Sequence, residues 1–278
     1  MSFRTLSYVV PVHNEESILE ETVGQVVRRL RAFPGSEVVL VENGSVDRSP
    51  LLVRELARRL TGAEVAVVPT ESAKGLGHAY RRGIEASTGD LVVLTAADLP
   101  FGFSDLDQVV ASYAADEVVI GSKAHPETRS PTSASRRAMS TGFRLLRRAL
   151  LGQRVGDSQG TFFLPGGWAR RIGPHLRSGD YLVTTELALA AERSGLGLRE
   201  VPVIGRAVGR PSTVRPVRDS GRMLLGLVGL RLRPVGTLEV VRGVGVEVGI
   251  GAGAGGVAAG ALGAGAGDRE VAQPSAHR

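Results

Sequence analysis

Val9-Val10-Pro11-Val12-His13-Asn14-Glu15-Glu16 changes character at its midpoint, where an apolar, β-branched run breaks into polar and acidic residues. The same change recurs in Val41-Glu42-Asn43-Gly44-Ser45-Val46-Asp47 and in Leu94-Thr95-Ala96-Ala97-Asp98-Leu99-Pro100. An apolar run closed by turn-forming residues reads as a buried parallel strand that delivers a loop at its carboxyl end. Open α/β sheets bind ligands at that edge.

Outward from these runs, strand and helix patterns alternate. Leu6 to Val12 is the first predicted strand, and Glu15 to Phe33 a helix with Ile18, Val23, Val26, Val27 and Leu30 on its inner side, ended by Pro34-Gly35. Glu37 to Val41 follows as a strand, Val46 to Leu60 as a helix opening with Asp47 and Pro50, and Glu64 to Pro69 as a third strand. Helix His78 to Ser87 leads through Thr88-Gly89-Asp90 into strand Leu91 to Thr95. Such β-α repeats with short links imply a largely parallel sheet covered on both faces. The second half is organised differently. Strands are expected at Glu117 to Gly121, Gly160 to Leu164 and Glu200 to Arg206, a long basic amphipathic helix at Ser133 to Leu151, and a further helix at Thr184 to Ser194.

The chain has 278 residues, 42% of them hydrophobic, enough for one substantial core. It has no cysteine, which excludes a disulfide framework and thiolate metal sites and fits a reducing compartment. Met1 to Leu6 lacks both a basic leader and a long apolar stretch, so the chain is expected to begin directly with its first strand. The formal charge is +6, mostly arginine concentrated at Arg136 to Arg154 and Arg206 to Arg233. That pattern suits phosphate or an anionic surface, while any single arginine reads equally as part of a solvated helix face. Nucleic acid is a poor fit, since aromatic residues are only 4% and no zinc-finger, helix-turn-helix or RNA-binding signature is present. Met223 to Arg233 has two open readings, an amphipathic segment lying in a membrane interface or an ordinary docked helix.

Two segments follow from composition: a globular domain over 1–233 and a Gly/Ala-rich tail over 234–278, expected to be disordered. Val248 to Gly267 carries no charge over 20 residues, long enough to span a bilayer, but Gly and Ala supply little transfer free energy.

The three opening motifs, in this order, resemble glycosyltransferase family 2. The resemblance continues through Lys74-Gly75-Leu76-Gly77-His78-Ala79, Val119-Ile120-Gly121-Ser122-Lys123, Asp157-Ser158-Gln159-Gly160, Glu186, Glu200-Val201-Pro202-Val203 and Arg210-Pro211-Ser212. It covers residues 6 to about 233 and is strongest toward the dolichol-phosphate mannose synthase and polyprenyl-phosphate glycosyltransferase branch. It implies a GT-A fold, Rossmann-like, with a mostly parallel central sheet and helices on both faces, that binds a nucleoside-diphosphate sugar.

The resemblance also assigns roles. Pro11 shapes the first turn, Glu15 and Glu42 contact base and ribose as hydrogen-bond acceptors, and Asn43 stands where an aspartate is common. Asn43-Gly44-Ser45 also satisfies a glycosylation sequon, set aside because it occupies a ligand-facing turn. Lys74 and Gly75, ahead of a helix, can meet the donor phosphates, whereas His78 reads as helix packing. The family's acidic metal motif is Asp, any residue, Asp; here it is Ala96-Ala97-Asp98, with Pro100 where related synthases often offer glutamine. Asp98 is then the one carboxylate left to hold Mg²⁺ or Mn²⁺ on the donor diphosphate, leaning on diphosphate and water oxygens. Asp98 as a plain turn cap is the bland alternative. Lys123 and Arg137 match residues that receive a lipid phosphate, and Asp157 and Gln159 border the transferred sugar or acceptor. Arg210 and Ser212 match a loop that closes over the donor phosphates, with Thr213 in place of its usual lysine. Glu186 either orients the acceptor side or pairs with Arg210 or another arginine.

The expected activity is inverting transfer of a sugar from a UDP- or GDP-linked donor to polyprenyl phosphate, by a cytoplasmic protein lying peripherally on the inner face of the cell membrane. Two rivals stay open: transfer to a soluble hydroxylated acceptor, and a non-catalytic sugar-nucleotide-binding protein. A nucleotidyltransferase is disfavoured, because its Gly-rich signature would follow the first strand, where Pro11-Val12-His13-Asn14 stands.

Overall fold

The computed structural model describes residues 3–114, 116–129, 134–153, 155–205 and 225–232, with side chains in the fifth helix described from residue 140 onward. The elements run β1 (Leu6–Val12), α1 (Leu19–Leu30), β2 (Ser36–Glu42), α2 (Ser49–Leu60), β3 (Val65–Glu71), α3 (Leu76–Ala86), β4 (Leu91–Leu94), α4 (Ser104–Ser112), β5 (Glu117–Ser122), α5 (Ala134–Leu151), β6 (Thr161–Pro165), α6 (Gly166–Ile172), a 3₁₀ turn (Gly173–His175), α7 (Leu182–Arg193) and β7 (Gly197–Pro202). Residues 225–231 are helical as well.

The strands form one seven-stranded sheet in the order β3-β2-β1-β4-β6-β5-β7. Side chains alternate across a strand, and β1 shows the consequence. Tyr8, Val10 and Val12 join a core under α1, α2 and α4, while Val9 joins a second core under α3, α6 and α7. Both faces of the sheet are therefore covered, as the apolar runs require.

β1 is parallel to β2 and β4, and β2 to β3. From β1 the chain moves outward through β2 and β3, then returns to place β4 on the other side of β1. Crevices for ligands open at such a reversal, at the carboxyl ends of the strands. β6 runs against both β4 and β5, with Leu94 opposite Phe162 and Gly121 opposite Thr161. Its amino end therefore lies at the same sheet edge as the carboxyl ends of β4 and β5. The loops after β1, β2, β4 and β5 and the loop before β6 all share that edge.

Several expected boundaries shift for identifiable reasons. The first helix begins at Leu19 rather than Glu15, because the intervening backbone is tied to the loop after β2. Asn14, at φ 57°, accepts the Val46 N–H on its side chain (2.8 Å), while the Glu15 and Glu16 N–H groups donate to Ser49 Oγ (2.9 Å) and Asp47 Oδ2 (3.1 Å). The last strand starts at Gly197 rather than Glu200, paired with β5 and anchored by the Arg199–Glu117 ion pair at 2.6 Å. It ends at Pro202, after which Val203 O accepts the Arg129 N–H. α4 and α6 have no counterpart among the sequence expectations, since each is short and shows only a few buried positions. The tail over 234–278 lies outside the described residues.

Asp105 in α4 is 2% exposed, and burial pushes its carboxyl above the ordinary aspartate value against hydrogen bonds from Thr161 and the Leu106 N–H. A raised carboxyl holds its proton more tightly in the folded state, so its contribution to stability is fully present below the unfolded pKa and is lost as pH rises through the folded one. Asp105→Asn should therefore raise the melting temperature near about pH 8 and leave it unchanged near about pH 4. Melting curves at the two pH values check this, and an equal change at both would remove ionisation as the cause.

Candidate active site

The loops after β1 and β2 are laced together. His13 Nδ1 lies 2.9 Å from Asn43 O, the Asn14 N–H donates to Ser45 Oγ (3.1 Å), and Asp47 Oδ1 accepts the Ser49 N–H (2.9 Å). Pro11 sits just upstream, opposite Val41 in the ladder. Glu42, the last residue of β2, accepts the Ser45 N–H at 2.6 Å and the Gly44 N–H at 3.2 Å. Desolvation alone would raise its carboxyl, but these hydrogen bonds outweigh it and hold the group below the usual range. Glu42 is thus an ionised acceptor at neutral pH. Asp47 follows the same pattern, with partial burial opposed by Ser49 and the Glu16 N–H, and its carboxyl is likewise lowered.

Asn43 is buried, and its Oδ1 accepts the Gly75 N–H at 2.7 Å. Two groups expected at the donor therefore engage each other: the amide joins the loop after β2 to the turn carrying Lys74, which is itself exposed. The glycines of that turn have a visible reason. Gly75 adopts φ 130°, and a Cβ on Gly77 would fall 1.9 Å from Ser178 O. The Gly77 N–H donates to Gly179 O (3.1 Å), so the backbone of residues 178–179 closes over the turn. Glu186, buried in α7, accepts the Arg177 and Ser178 N–H groups at 3.0 and 2.8 Å, which fixes this closing loop through backbone contacts. His78 Nδ1 lies 2.5 Å from an Arg81 guanidinium nitrogen, which fits a packing role.

The loop after β4 is anchored from both faces. Thr22 Oγ1 donates to Ala97 O (2.7 Å) and Tyr80 O–H to Thr95 O (3.2 Å). Burial, with added repulsion from Tyr181 and Asp98, pushes the Tyr80 phenol well above its ordinary value, so it remains a donor. Leu99 takes φ 42°. Ala97 is buried between two exposed residues, Ala96 and Asp98. The Asp98 carboxylate accepts no hydrogen bond among the described residues, and no group of three or more His, Asp or Glu gathers there as a ready metal set. What fits this position is a hard cation held by one carboxylate with the remaining oxygens coming from ligand and water.

On the other side of the edge, Asp157 is the hub. Its Oδ2 accepts the Lys123 N–H (2.9 Å) and its Oδ1 the Gln159 N–H (2.8 Å). Glu200 of β7 accepts the Gly156 and Asp157 N–H groups at 2.8 and 2.9 Å. Gln159 Nε2 reaches Tyr181 O (3.3 Å), just before α7, and Thr184 Oγ1 (3.4 Å) within it. Lys123 is exposed, with Nζ 5.3 Å from the centroid of the Phe101 ring. Arg137 falls in the first turn of α5, and its side chain lies outside the described residues, as do Arg210, Ser212 and Thr213. Glu42, at the end of β2, and Glu15, Asp98, Lys123 and Gln159, on loops, thus stand at one sheet edge. The sequence reading missed the structural parts played by Asn14, Ser45, Tyr181 and Glu200. Of these Asn14, Ser45 and Glu200 lie within quoted motifs, whereas Tyr181 carried no signal.

A seven-stranded α/β sheet of this order, with its polar loops gathered at one edge, is that of a glycosyltransferase of GT-A fold. The chain belongs to glycosyl transferase family 2, whose profile matches residues 7–175. Among its relatives is a dolichyl-phosphate beta-glucosyltransferase of Dictyostelium discoideum, 24% identical over 82% of this chain and 74% of that one. An undecaprenyl-phosphate 4-deoxy-4-formamido-L-arabinose transferase of Pseudomonas aeruginosa is 38% identical over 42% of this chain, a match spanning 34% of its own length. The fold is shared with glucosyl-3-phosphoglycerate synthase of Mycobacterium tuberculosis, solved with Mn²⁺, uridine-diphosphate-glucose and phosphoglyceric acid. That match has a TM-score of 0.57 and 20% identity and covers 85% of this chain and 80% of that one.

Proposed function

We propose that this glycosyltransferase moves a hexose-like sugar, with inversion, from a nucleoside-diphosphate donor to a polyprenyl phosphate. The observation that carries the acceptor is the engagement of Asp157: both its oxygens already accept backbone N–H groups, from Lys123 and Gln159. A hydroxyl acceptor needs a base directed at its proton, whereas a phosphate monoester arrives anionic and attacks unaided. Catalysis then reduces to alignment and to charge support for the departing nucleoside diphosphate.

Glu15 and Glu42 would hold base and ribose, and Lys74, with Arg210 and Ser212, the diphosphate. Lys123 and Arg137 would receive the acceptor phosphate. Asp98 would hold Mg²⁺ or Mn²⁺, whose chemistry is to neutralise charge developing on the leaving diphosphate. The names of the dolichyl- and undecaprenyl-phosphate relatives support the same acceptor class.

Membrane contact would be peripheral, at the cytoplasmic face. Among the described residues no helix is long and apolar enough to cross a membrane. Phe143, Leu146 and Leu150 of α5 pack with Leu182, Leu227 and Leu230. Leu145, Leu225 and Leu232 remain 60–74% exposed at this patch, with Arg144, Arg148 and Arg231 in the same two helices. An amphipathic, basic surface of this kind suits an anionic bilayer. The segment over 1–233 would be the catalytic domain and 234–278 an appended tail.

Incubation with radiolabelled nucleotide sugars, undecaprenyl phosphate and Mg²⁺ should move label into butanol-extractable lipid. Label that instead enters only water-soluble glycosides from hydroxylated acceptors would reject the lipid assignment.

A further inference from the structure

We infer that Arg147 is a positioning residue that fixes the turn 155–159, and with it the places of Lys123 and Gln159, on the acceptor side of the site. Naming that side rests on the function proposed above. Arg147 lies in α5 and is 1% exposed, the largest fully buried side chain of the described protein. Its Nη2 donates to Val155 O, at the head of the turn. Nε and Nη1 have no hydrogen-bond partner among the described residues, and the guanidinium carbon lies 5.9 Å from the Phe143 ring centroid.

A guanidinium with two nitrogens unsatisfied is a costly way to fill a core, and a leucine or methionine would fill the space without that cost. Its surroundings supply the reason for a cation. Burial acts to lower its pKa, while the carboxylates of Asp157, Glu200 and Glu192 favour its charge and Arg144 opposes it. Asp157 and Glu200 both carry negative charge onto one short turn: Glu200 grips the Gly156 and Asp157 N–H groups from β7, and Asp157 grips those of Lys123 and Gln159. Two carboxylates meeting at one turn repel each other unless a cation stands behind it. Arg147 supplies that cation and ties down the carbonyl next to it. Its influence then passes through Asp157 to the backbone of Lys123 on one side and of Gln159 on the other.

Arg147→Met and Arg147→Lys test this by backbone amide exchange followed by NMR on the full chain. In Arg147→Met the amides of Lys123, Gly156, Asp157 and Gln159 should exchange at least about tenfold faster, those of Val10 and Val39 in the sheet should stay unchanged, and Arg147→Lys should restore most of the protection. Titration with geranyl phosphate should show weaker binding to Arg147→Met and recovery in Arg147→Lys. Should Arg147→Met not fold, Arg147→Gln, which keeps a donor without the charge, carries the same test. Unchanged exchange at the four amides overturns the proposal, as does acceleration spread evenly through β1 and β2, or failure of lysine to rescue. Local acceleration with unaltered geranyl phosphate binding leaves the positioning role standing and counts against the acceptor reading alone.

Discussion

Asp98→Ala should lose activity by roughly a hundredfold or more at saturating donor, the scale on which an electrostatic contact made to the transition state acts. The reason lies in how little else the edge offers a cation. Asp98 is the one carboxylate of the loop after β4, exposed and without a hydrogen bond among the described residues, and Ala96 stands where the family carries its first acid. A hard cation held by one carboxylate depends on it strongly, because the remaining oxygens come from diphosphate and water. Chelator should abolish turnover of the parent protein, and Mg²⁺ or Mn²⁺ should restore it. A mutant that turns over undiminished in chelator would remove metal from the chemistry. The converse substitution is informative too. Ala96 and Asp98 are both exposed while Ala97 between them is buried, so positions 96 and 98 are open to the same solvent. Ala96→Asp should tighten metal binding, measured by Mn²⁺ titration, and no change would mean that position 96 faces away from the ion.

The second large effect separates the acceptor classes. With a phosphate acceptor, Lys123→Ala or Arg137→Ala removes a charge-assisted contact worth roughly 1.5–3 kcal/mol. Acceptor KM should then rise by about tenfold or more with donor KM little changed. Asp157→Asn should be comparatively mild. Its side chain keeps one acceptor oxygen for the turn, and no proton has to be taken from the nucleophile. A hydroxyl acceptor predicts the reverse pattern. General-base catalysis contributes roughly 10²–10⁴, so Asp157→Asn would then depress kcat across all donor concentrations while the two basic substitutions mattered little. Steady-state kinetics with donor and acceptor varied separately distinguishes the two patterns.

The site was legible in part because its residues lie where β-branched runs stop. Glu15, Glu42 and Asp98 could be placed at one edge from periodicity and turn chemistry, since a parallel strand buried on both faces leaves little choice of direction. Lys123, Asp157 and Gln159 were legible only through resemblance. Their strands are short, and nothing local states that β6 runs against β4 and β5. Glu186 shows the limit from the other side: nothing local in the sequence states that its carboxylate accepts two backbone N–H groups of a loop eight and nine residues earlier.

By itself the sequence determined the class of sheet and the edge at which its strands deliver polar loops, because both depend on residue periods of a few positions. Tertiary structure decided what holds those loops. It placed Asn43 on Gly75 across 32 residues, Glu200 on Asp157 across 43, and the buried Arg147 on Val155 O at the head of the turn that holds Asp157. Hydrogen bonds and buried charges at such separations follow from strand order and register, and no short stretch of sequence encodes those alone.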